Sequence, residues 1–187
     1  MLSVTKIINT ERDETMKRAE LTKLQLAVAL KDLTNTMPFR KISVSHIADH
    51  ANMSRKSFYY HFKDKYDLVS FIFESEFADY CSRQTGGSWL AQLCRYLYEQ
   101  HEFYRIVLRY EGQNSFEDYL RSFIRDRARA EMETPAQIDL VGEKLLSEAV
   151  LAILKSWLTD AEVMDVENFL SVLHHAVAHL TQAGLNR

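Results

Sequence analysis

Residues 43–65 read Ser-Val-Ser-His-Ile-Ala-Asp-His-Ala-Asn-Met-Ser-Arg-Lys-Ser-Phe-Tyr-Tyr-His-Phe-Lys-Asp-Lys, and they are the most informative segment of the chain. Four of its apolar residues recur at i, i+3, i+4 and i+7: Val44, Ile47, Ala48 and Ala51. This spacing predicts one buried face of a short helix. Ser43 directly precedes that helix, where an N-cap hydroxyl accepts hydrogen bonds from the first free amides.

A second short helix is predicted directly after a turn. Asn52 tolerates a positive φ, so the chain can reverse its direction there. Ser54 is a second N-cap candidate, and Phe58 and Phe62 then point inward. The outer face of this helix is polar and consists of Arg55, Lys56, Ser57, Tyr60 and His61. Two short helices joined by a tight turn, the second with a cationic outer face, are typical of a helix-turn-helix.

Core, cap and turn residues follow one another in a fixed order from Ile47 to Leu68. They read Ile47-Ala48, then Ala51-Asn52-Met53-Ser54, then Phe58-Tyr59-Tyr60-His61-Phe62-Lys63-Asp64-Lys65, and finally Leu68. This order resembles the DNA-binding signature of the TetR family of transcriptional regulators. The family pattern has a glycine where this chain has Asn52, and asparagine also visits the left-handed region routinely. The resemblance covers about residues 20 to 70.

The resemblance implies that nine polar residues contact duplex DNA: Ser43, Ser45, Arg55, Lys56, Ser57, Tyr59, Tyr60, His61 and Lys65. Arg55 and Lys56, at the start of the second helix, would reach base edges or phosphates. Lys65, at the N-terminus of the next helix, would add its ammonium to the anion affinity of that helix end. Ser43 and Ser45 would hold the backbone of the opposite strand.

The composition favours helices throughout the chain. Only 5 glycines and 2 prolines occur in 187 residues, few breakers for a sheet with many turns. We therefore expect an all-α fold of about nine helices: a three-helix helix-turn-helix domain and a larger helical ligand-binding and dimerisation domain. No apolar run approaches the roughly 18 residues of a membrane span. Cys81 and Cys94 lack metal-ligand spacing, which favours a reduced, cytoplasmic protein.

Charge is divided unevenly along the chain. Residues 1–66 hold 12 Lys/Arg and 7 Asp/Glu, whereas residues 67–187 hold 11 and 19. A basic segment joined to an acidic one is expected of a DNA reader with a separate partner domain. The predicted parts are a flexible N-terminal segment (1–18), the helix-turn-helix domain (19–65) and a helical effector-binding and dimerisation domain (66–187). The first segment is either an inert tail or an arm that touches DNA.

The middle of the chain is rich in aromatic residues, notably Trp89, Tyr96, Tyr104, Tyr110, Tyr119 and Phe123. In the TetR family this region encloses a small-molecule cavity, so the resemblance implies that these side chains line a ligand pocket. Ordinary core packing is the alternative. The segments around Phe103 and Gln113 also resemble a C-terminal type of Gram-positive members. Some of these, including regulators of dihydroxyacetone-kinase operons, respond to a protein partner instead.

The last two predicted helices, residues 139–159 and 163–182, carry long apolar stripes. Stripes too apolar for water predict a homodimer in which two such pairs form a four-helix bundle. The expected interface residues are Leu146, Val150, Leu154, Trp157, Phe169, Leu173 and Val177. Two recognition helices held in this way require an inverted-repeat operator in double-stranded DNA.

Motifs of catalysis and metal binding are absent from the sequence. There is no Gly-rich phosphate loop, nucleophile elbow or His-Glu-x-x-His zinc motif, so no enzyme is expected. His175 and His179 lie one helical turn apart, but a zinc site needs at least one more ligand, and no metal or cofactor is predicted. The alternative is a histidine strip near a helix C-terminus, where positive charge is favourable.

These features together predict a sequence-specific DNA-binding transcriptional regulator. The simplest form is a repressor that an effector releases from a palindromic operator. Two alternatives stay open: an activator or co-regulator controlled by a protein partner, and a helical interaction module without DNA-binding function.

Overall fold

A computed structural model describes residues 4–110, 115–131, 140–160 and 162–185, and these residues form helices and connectors without a strand. The helices are α1 (Val4–Thr36), α2 (Val44–His50), α3 (Arg55–His61), α4 (Lys65–Ser82), α5 (Trp89–Glu99), α6 (His101–Leu108), α7 (Phe116–Glu131), α8 (Leu140–Thr159) and α9 (Val166–Leu185). A short 3-10 helix, η1 (Phe39–Lys41), follows α1. The predicted all-α fold of about nine helices is confirmed.

The chain divides into two compact units, unit 1 (Met1–Ile72) and unit 2 (Phe73–Arg187). Helix α4 contributes residues to both units. The division falls inside α4, whereas the sequence places the boundary at the start of that helix, after residue 65. Unit 1 contains the residues of the helix-turn-helix signature, and unit 2 contains α5 to α9.

Helix α1 is longer than predicted. It ends at Thr36, shortly before Pro38, because proline disfavours helical backbone in the residue before it. It begins at Val4, so the segment predicted to be flexible (1–18) is helical from Val4 onward. No glycine or proline precedes Pro38, and oppositely charged residues four apart along this segment favour a helix even without apolar periodicity.

The core of unit 1 is formed by apolar residues from all its elements. Fully buried members are Leu26, Leu30, Phe39, Ile47, Phe58 and Leu68. They come from α1, η1, α2, α3 and the first turn of α4, so the short helices α2 and α3 are held by a shared core. This anchoring is necessary because isolated helices shorter than about 12 residues are marginal in water.

Unit 2 buries one face each of α8 and α9. Trp157 of α8 stacks on Phe169 of α9 with ring centroids 3.8 Å apart, and its indole Nε1 donates to the carbonyl of Met164 at 2.8 Å. Tyr98 of α5 stacks on the indole as well, at 5.8 Å. The buried face of α8 also contains Val150 and Leu154, and that of α9 contains Leu173.

This burial bears on the predicted dimer interface. Five of its seven residues belong to the core of their own unit: Val150, Leu154, Trp157, Phe169 and Leu173. Leu146 is half-buried, and the side chain of Val177 lies outside the described residues. An apolar stripe indicates that a helix face is covered, but it does not say whether the same chain or a second copy covers it.

Two further expectations concern the whole chain. None of the helices in the described ranges combines the length and the apolar character that a membrane span requires. Cys81 and Cys94 are free thiols, and burial raises the pKa of Cys94 to about 12. The buried thiol is therefore unreactive at neutral pH.

Candidate nucleic-acid interface

The N-terminus of α2 is closed by a capping box. The Ser43 hydroxyl oxygen accepts from the His46 amide at 3.2 Å, and His46 Nδ1 accepts from the Ser43 amide at 3.3 Å. The predicted N-cap is confirmed, whereas the role of His46 is not visible in the sequence because the usual partner is Glu or Gln. The Ser43 hydroxyl still has its own proton to donate, as a contact to a phosphate requires.

The turn between α2 and α3 is a Schellman motif. The Met53 amide donates to the Ala48 carbonyl at 2.8 Å, and the Asn52 amide donates to the Asp49 carbonyl at 3.1 Å. Asn52 has a φ of 54°, the only positive φ of a non-glycine residue in the described ranges. The predicted reversal at Asn52 is confirmed. Asparagine serves where glycine is usual because its short side chain tolerates the left-handed region.

Helix α3 presents one face to the core and the other to solvent. Ser54 caps it, accepting from the Ser57 amide at 3.1 Å, and Phe58 is fully buried. Tyr60, on the outer face, is 82% exposed, and Arg55 and Lys56 are exposed beside it. These three side chains lie on the exposed surface of the helix. They offer a guanidinium, an ammonium and a phenol to whatever lies against this face.

Tyr59 lies between these two environments. Its ring meets Phe58 edge-on at 5.7 Å, yet the residue remains 51% exposed. The Arg55 guanidinium lies 5.9 Å from the centre of the Tyr59 ring. This cation–π contact limits the conformations of Arg55 in advance of any binding, which lowers the entropy cost of fixing it.

The remaining predicted contacts on α2 and α3 are less accessible. Ser45 and Ser57 are half-buried. His61 is half-buried too, and its pKa is lowered by burial and by Lys23, against an opposing effect of Glu20. Both of those residues belong to α1. His61 therefore faces α1 and not the outer face where the sequence places it, because it lies one turn after Phe58.

Lys65 has a different environment from the predicted one. Its ammonium donates to the carbonyls of Phe39 at 2.7 Å and Ile42 at 2.9 Å, with the Arg40 carbonyl at 3.5 Å. It also lies 4.5 Å from the centre of the Phe39 ring. Burial lowers the pKa of Lys65, and Asp64 opposes that shift. An ammonium has three protons, and here they point at the connector between α1 and α2.

The helix end that was expected to attract phosphate already has a carboxylate. Asp64 Oδ1 accepts from the amides of Tyr66 at 2.8 Å and Asp67 at 2.9 Å. Asp67 Oδ2 in turn accepts from the Lys63 amide at 2.9 Å. Two of the first amides of α4, those of Tyr66 and Asp67, are thus paired within the chain. Lys65 and the start of α4 therefore hold unit 1 together, a role that the signature does not imply.

Lys65→Met should lower the free energy of unfolding of unit 1 by about 1–3 kcal/mol, because the Ile42 carbonyl loses its charged donor. The matched control is Lys63→Met, which removes an exposed ammonium two residues away. Hydrogen exchange of the amides in residues 39–62 would measure the difference. Equal protection in both variants, combined with weaker DNA binding by Lys65→Met alone, would restore the phosphate role of Lys65.

The aromatic residues predicted to line a ligand pocket pack against one another in unit 2. Phe73 is at their centre, with ring centroids of Phe123 at 5.1 Å, Tyr119 at 5.7 Å, Tyr96 at 5.9 Å and Tyr104 at 6.2 Å. The ring centroids of Trp89 and Phe123 are 6.5 Å apart. Tyr110 lies beyond the end of α6, and its amide donates to the Val107 carbonyl. The structure thus brings Tyr96, Tyr104, Tyr119 and Phe123 together as an aromatic cluster.

Hydrogen bonds link the hydroxyls of this aromatic cluster. The Tyr96 hydroxyl donates to Glu76 at 3.1 Å and lies 2.7 Å from the Tyr104 hydroxyl, which must then donate to it. The Tyr119 hydroxyl donates to Glu74 at 3.0 Å. Glu74 and Glu76 were not predicted from the sequence, and the signal that could have found them is their position between the apolar residues Phe73 and Phe77 of α4. Satisfied hydroxyls make this region a stable core.

The buried tyrosines should make unit 2 sensitive to alkali. Burial raises the pKa of Tyr104 and of Tyr96 well above the usual value. Above about pH 10 a tyrosine of the unfolded chain loses its proton, whereas the same buried tyrosine of the folded chain keeps it. The free energy of unfolding therefore falls by roughly 1.4 kcal/mol for each pH unit and for each such tyrosine. Both tryptophans, Trp89 and Trp157, lie in unit 2, so their fluorescence reports its urea unfolding. Tyr104→Phe should make the free energy of unfolding of unit 2 fall less steeply with pH above about pH 10. An unchanged dependence on pH would contradict this expectation.

Two family models match the chain. "Bacterial regulatory proteins, tetR family" matches residues 29–70, and "Transcriptional regulator C-terminal region" of the same family matches residues 87–178. The dhaKLM operon transcriptional activator DhaS of Lactococcus lactis is 36% identical over 96 residues. That alignment covers 49% of this chain and 51% of DhaS, about half of each protein.

Solved structures share the fold. One described as the dihydroxyacetone kinase operon activator DhaS has a TM-score of 0.55 and 23% identity, covering 85% of this chain and 96% of that one. A TetR regulator from Streptococcus agalactiae has a TM-score of 0.58 and 21% identity, covering 86% and 96%. The fatty acid degradation regulator FadR from Bacillus halodurans has a TM-score of 0.55 and 14% identity, covering 89% and 97%. With both family models matched in order, the chain belongs to the TetR family of bacterial transcriptional regulators.

Proposed function

We propose that the protein acts in the cytoplasm as a homodimer that binds an inverted-repeat DNA operator with α3 in the major groove. The outer face of α3 is the observation that carries this proposal. Arg55, Lys56 and Tyr60 project from a helix that is capped at its N-terminus and anchored by Phe58. A rigid helix with cationic and phenolic tips matches the acceptor-rich edges of base pairs.

The proposed contacts fall into two groups. Arg55, Lys56 and Tyr60 would reach base edges, since they are exposed on the outer face of α3. Ser43, Ser45, Ser57 and Tyr59 would donate hydroxyl protons to phosphates, which position the protein without reading sequence. His61 and Lys65 are removed from the set that the signature implies, because α1 and the connector after it occupy them.

Arg55→Ala and Tyr60→Ala should each weaken operator binding by roughly 1–3 kcal/mol and binding to random duplex by much less. The difference in affinity between operator and random duplex should therefore become smaller. Arg55→Lys is the matched control, because it keeps the charge but loses the planar fork that pairs with guanine. It should therefore retain the affinity for random duplex. Operator and random-duplex titrations at several salt concentrations measure these effects.

The outcome that contradicts this assignment is an equal loss on both kinds of DNA. It would mean that Arg55 and Tyr60 contact phosphates and that bases are read elsewhere. If neither substitution altered binding while the protein stayed folded, the proposal that α3 reads DNA would fail altogether, and the interaction-module alternative would gain support.

The proposed dimer uses the outward faces of α8 and α9, in place of the stripe that the sequence suggests. Homodimers are typical of the family. On α8 the residues opposite the core are Leu145, Ala149, Ala152 and Ser156, and Leu145 is 65% exposed. On α9 the corresponding residues include Val172, which is 53% exposed. Large apolar residues exposed on the outward faces of both helices favour a second copy as the occupant.

This dimer would set the spacing of the operator. Two α3 helices related by a two-fold axis reach successive major grooves roughly 34 Å apart, so the operator should be an inverted repeat. Genomic fragments selected by the protein would reveal such symmetry. Footprints on sites without half-site symmetry would contradict the dimeric arrangement.

We propose that the bound dimer represses the adjacent gene until an effector releases it. Activation is the second candidate, favoured by the description of DhaS as an activator. A reporter gene behind the selected operator decides between them: expression should fall when the protein is present under repression and rise under activation. Any small molecule or protein effector must bind the released state more tightly, because a ligand shifts only states that it binds differently.

A further inference from the structure

His175 and His179 form a pair on the outward face of α9. Both are exposed, and they lie one turn apart, so their Cβ atoms are about 5–6 Å from each other. Leu173, which points the opposite way, is 0% exposed. Two imidazoles one helical turn apart on one helix face are near enough for one nitrogen of each to reach the same ion.

The ring of His175 is already oriented. Its Nδ1–H donates to the Ser171 carbonyl at 2.7 Å. A carbonyl only accepts, so Nδ1 carries the proton and the lone pair of the neutral ring is on Nε2. Histidines that bind metals typically make this same bond with their second nitrogen, which fixes the tautomer and raises the basicity of the ligating one.

One chain supplies only half of a coordination shell. Within the described ranges no three His, Cys, Asp or Glu side chains converge. A closed tetrahedral zinc site needs four ligands. Val172, on the same outward stripe of α9, is assigned above to the contact with a second copy. In a two-fold interface, residues near the axis meet their own counterparts, so two His175–His179 pairs would supply four imidazoles.

We propose that His175 and His179 of two protomers together hold one divalent transition-metal ion of the class that imidazole favours, such as Zn²⁺. The inference rests on the proposed homodimer. Metal bound only by the paired state stabilises the dimer by mass action, so operator binding rises with the metal concentration. The regulator is then responsive to metal through its dimer interface.

The test uses the full-length protein after dialysis against a chelator, titrated with Zn²⁺ in a calorimeter. We expect one Zn²⁺ per two chains. His175→Gln and His179→Gln should each weaken binding at least by the roughly 10- to 100-fold that loss of an outer-shell partner costs. His174→Gln is the matched control, since His174 is exposed and adjacent in sequence but about 100° away around the helix. It should bind like the wild type.

Failure of this inference and failure of the proposed dimer are distinguishable. Sedimentation in the chelator tests the dimer alone, and a monomer there contradicts the proposed function. A monomer that dimerises with Zn²⁺ only when His175 and His179 are present still supports the shared site. No Zn²⁺ uptake by a wild-type dimer, one ion per chain, or full uptake by the double variant His175→Gln/His179→Gln would each overturn it.

Discussion

A chain carrying Val172→Asp is expected to stay folded and to sediment as a monomer, whereas Leu173→Asp is expected to unfold unit 2. The two residues are neighbours on α9, but Val172 is 53% exposed and Leu173 is 0% exposed. An aspartate at 172 remains in water in the monomer and loses hydration only if a second copy covers it. An aspartate at 173 lies in the core beside Trp157 and Phe169, where an unpaired charge is strongly destabilising.

Sedimentation velocity at micromolar concentration, with tryptophan fluorescence for the fold of unit 2, measures both results. The monomeric Val172→Asp protein should lose more than about a hundredfold in operator affinity, because it engages one half-site at a time. A folded Leu173→Asp monomer beside a dimeric Val172→Asp protein would reverse the assignment. It would restore the interface that the apolar stripe suggests.

Phe58→Ala should cost about 3–5 kcal/mol of stability in unit 1, enough to unfold α2 and α3 in much of the population. Phe58 is fully buried and contacts the rings of Tyr59 at 5.7 Å and Phe62 at 5.8 Å. Neither tryptophan lies in unit 1, so hydrogen exchange of the amides in residues 44–62 is the measurement. Tyr59→Ala is the control for loss of a neighbouring ring.

Tyr59 is half exposed, so its truncation should lower protection far less than Phe58→Ala does. If both variants lost the same protection from hydrogen exchange, the rings of Phe58 and Tyr59 would belong to one core. The Tyr59 side chain would then not be available to contact a phosphate. If Phe58→Ala remained fully protected, the core of unit 1 would not depend on α3.

Features that depend on near neighbours were predictable from the sequence. The caps at Ser43 and Ser54 and the reversal at Asn52 each require only a few adjacent residues. Side-chain hydroxyls reach amides two or three positions away, and the φ of one residue decides a turn. Such features can be identified without knowing the fold.

Features that depend on distant partners were not predictable. The carbonyls that bind Lys65 lie 23 and 26 residues before it, so nothing near Lys65 indicates them. The same holds for Leu154 and Leu173, since periodicity marks a covered face but not what covers it. The packing of Tyr96 and Tyr104 against one another was not predictable for a related reason. A ligand pocket and a packed aromatic core have the same composition, and only the positions of the rings separate them.

The role of Lys65 bears on how the family signature can be interpreted in evolution. Its ammonium serves the Phe39 and Ile42 carbonyls, so selection for a stable unit 1 preserves a lysine whether or not DNA is ever bound. A planar guanidinium cannot replace this compact three-proton donor, so even arginine should be disfavoured. Arg55 and Tyr60 are exposed and lie outside the core, so they would be expected to drift once an operator was lost. A descendant that had given up DNA binding would therefore keep Lys65 and the signature around it, while losing Arg55 and Tyr60.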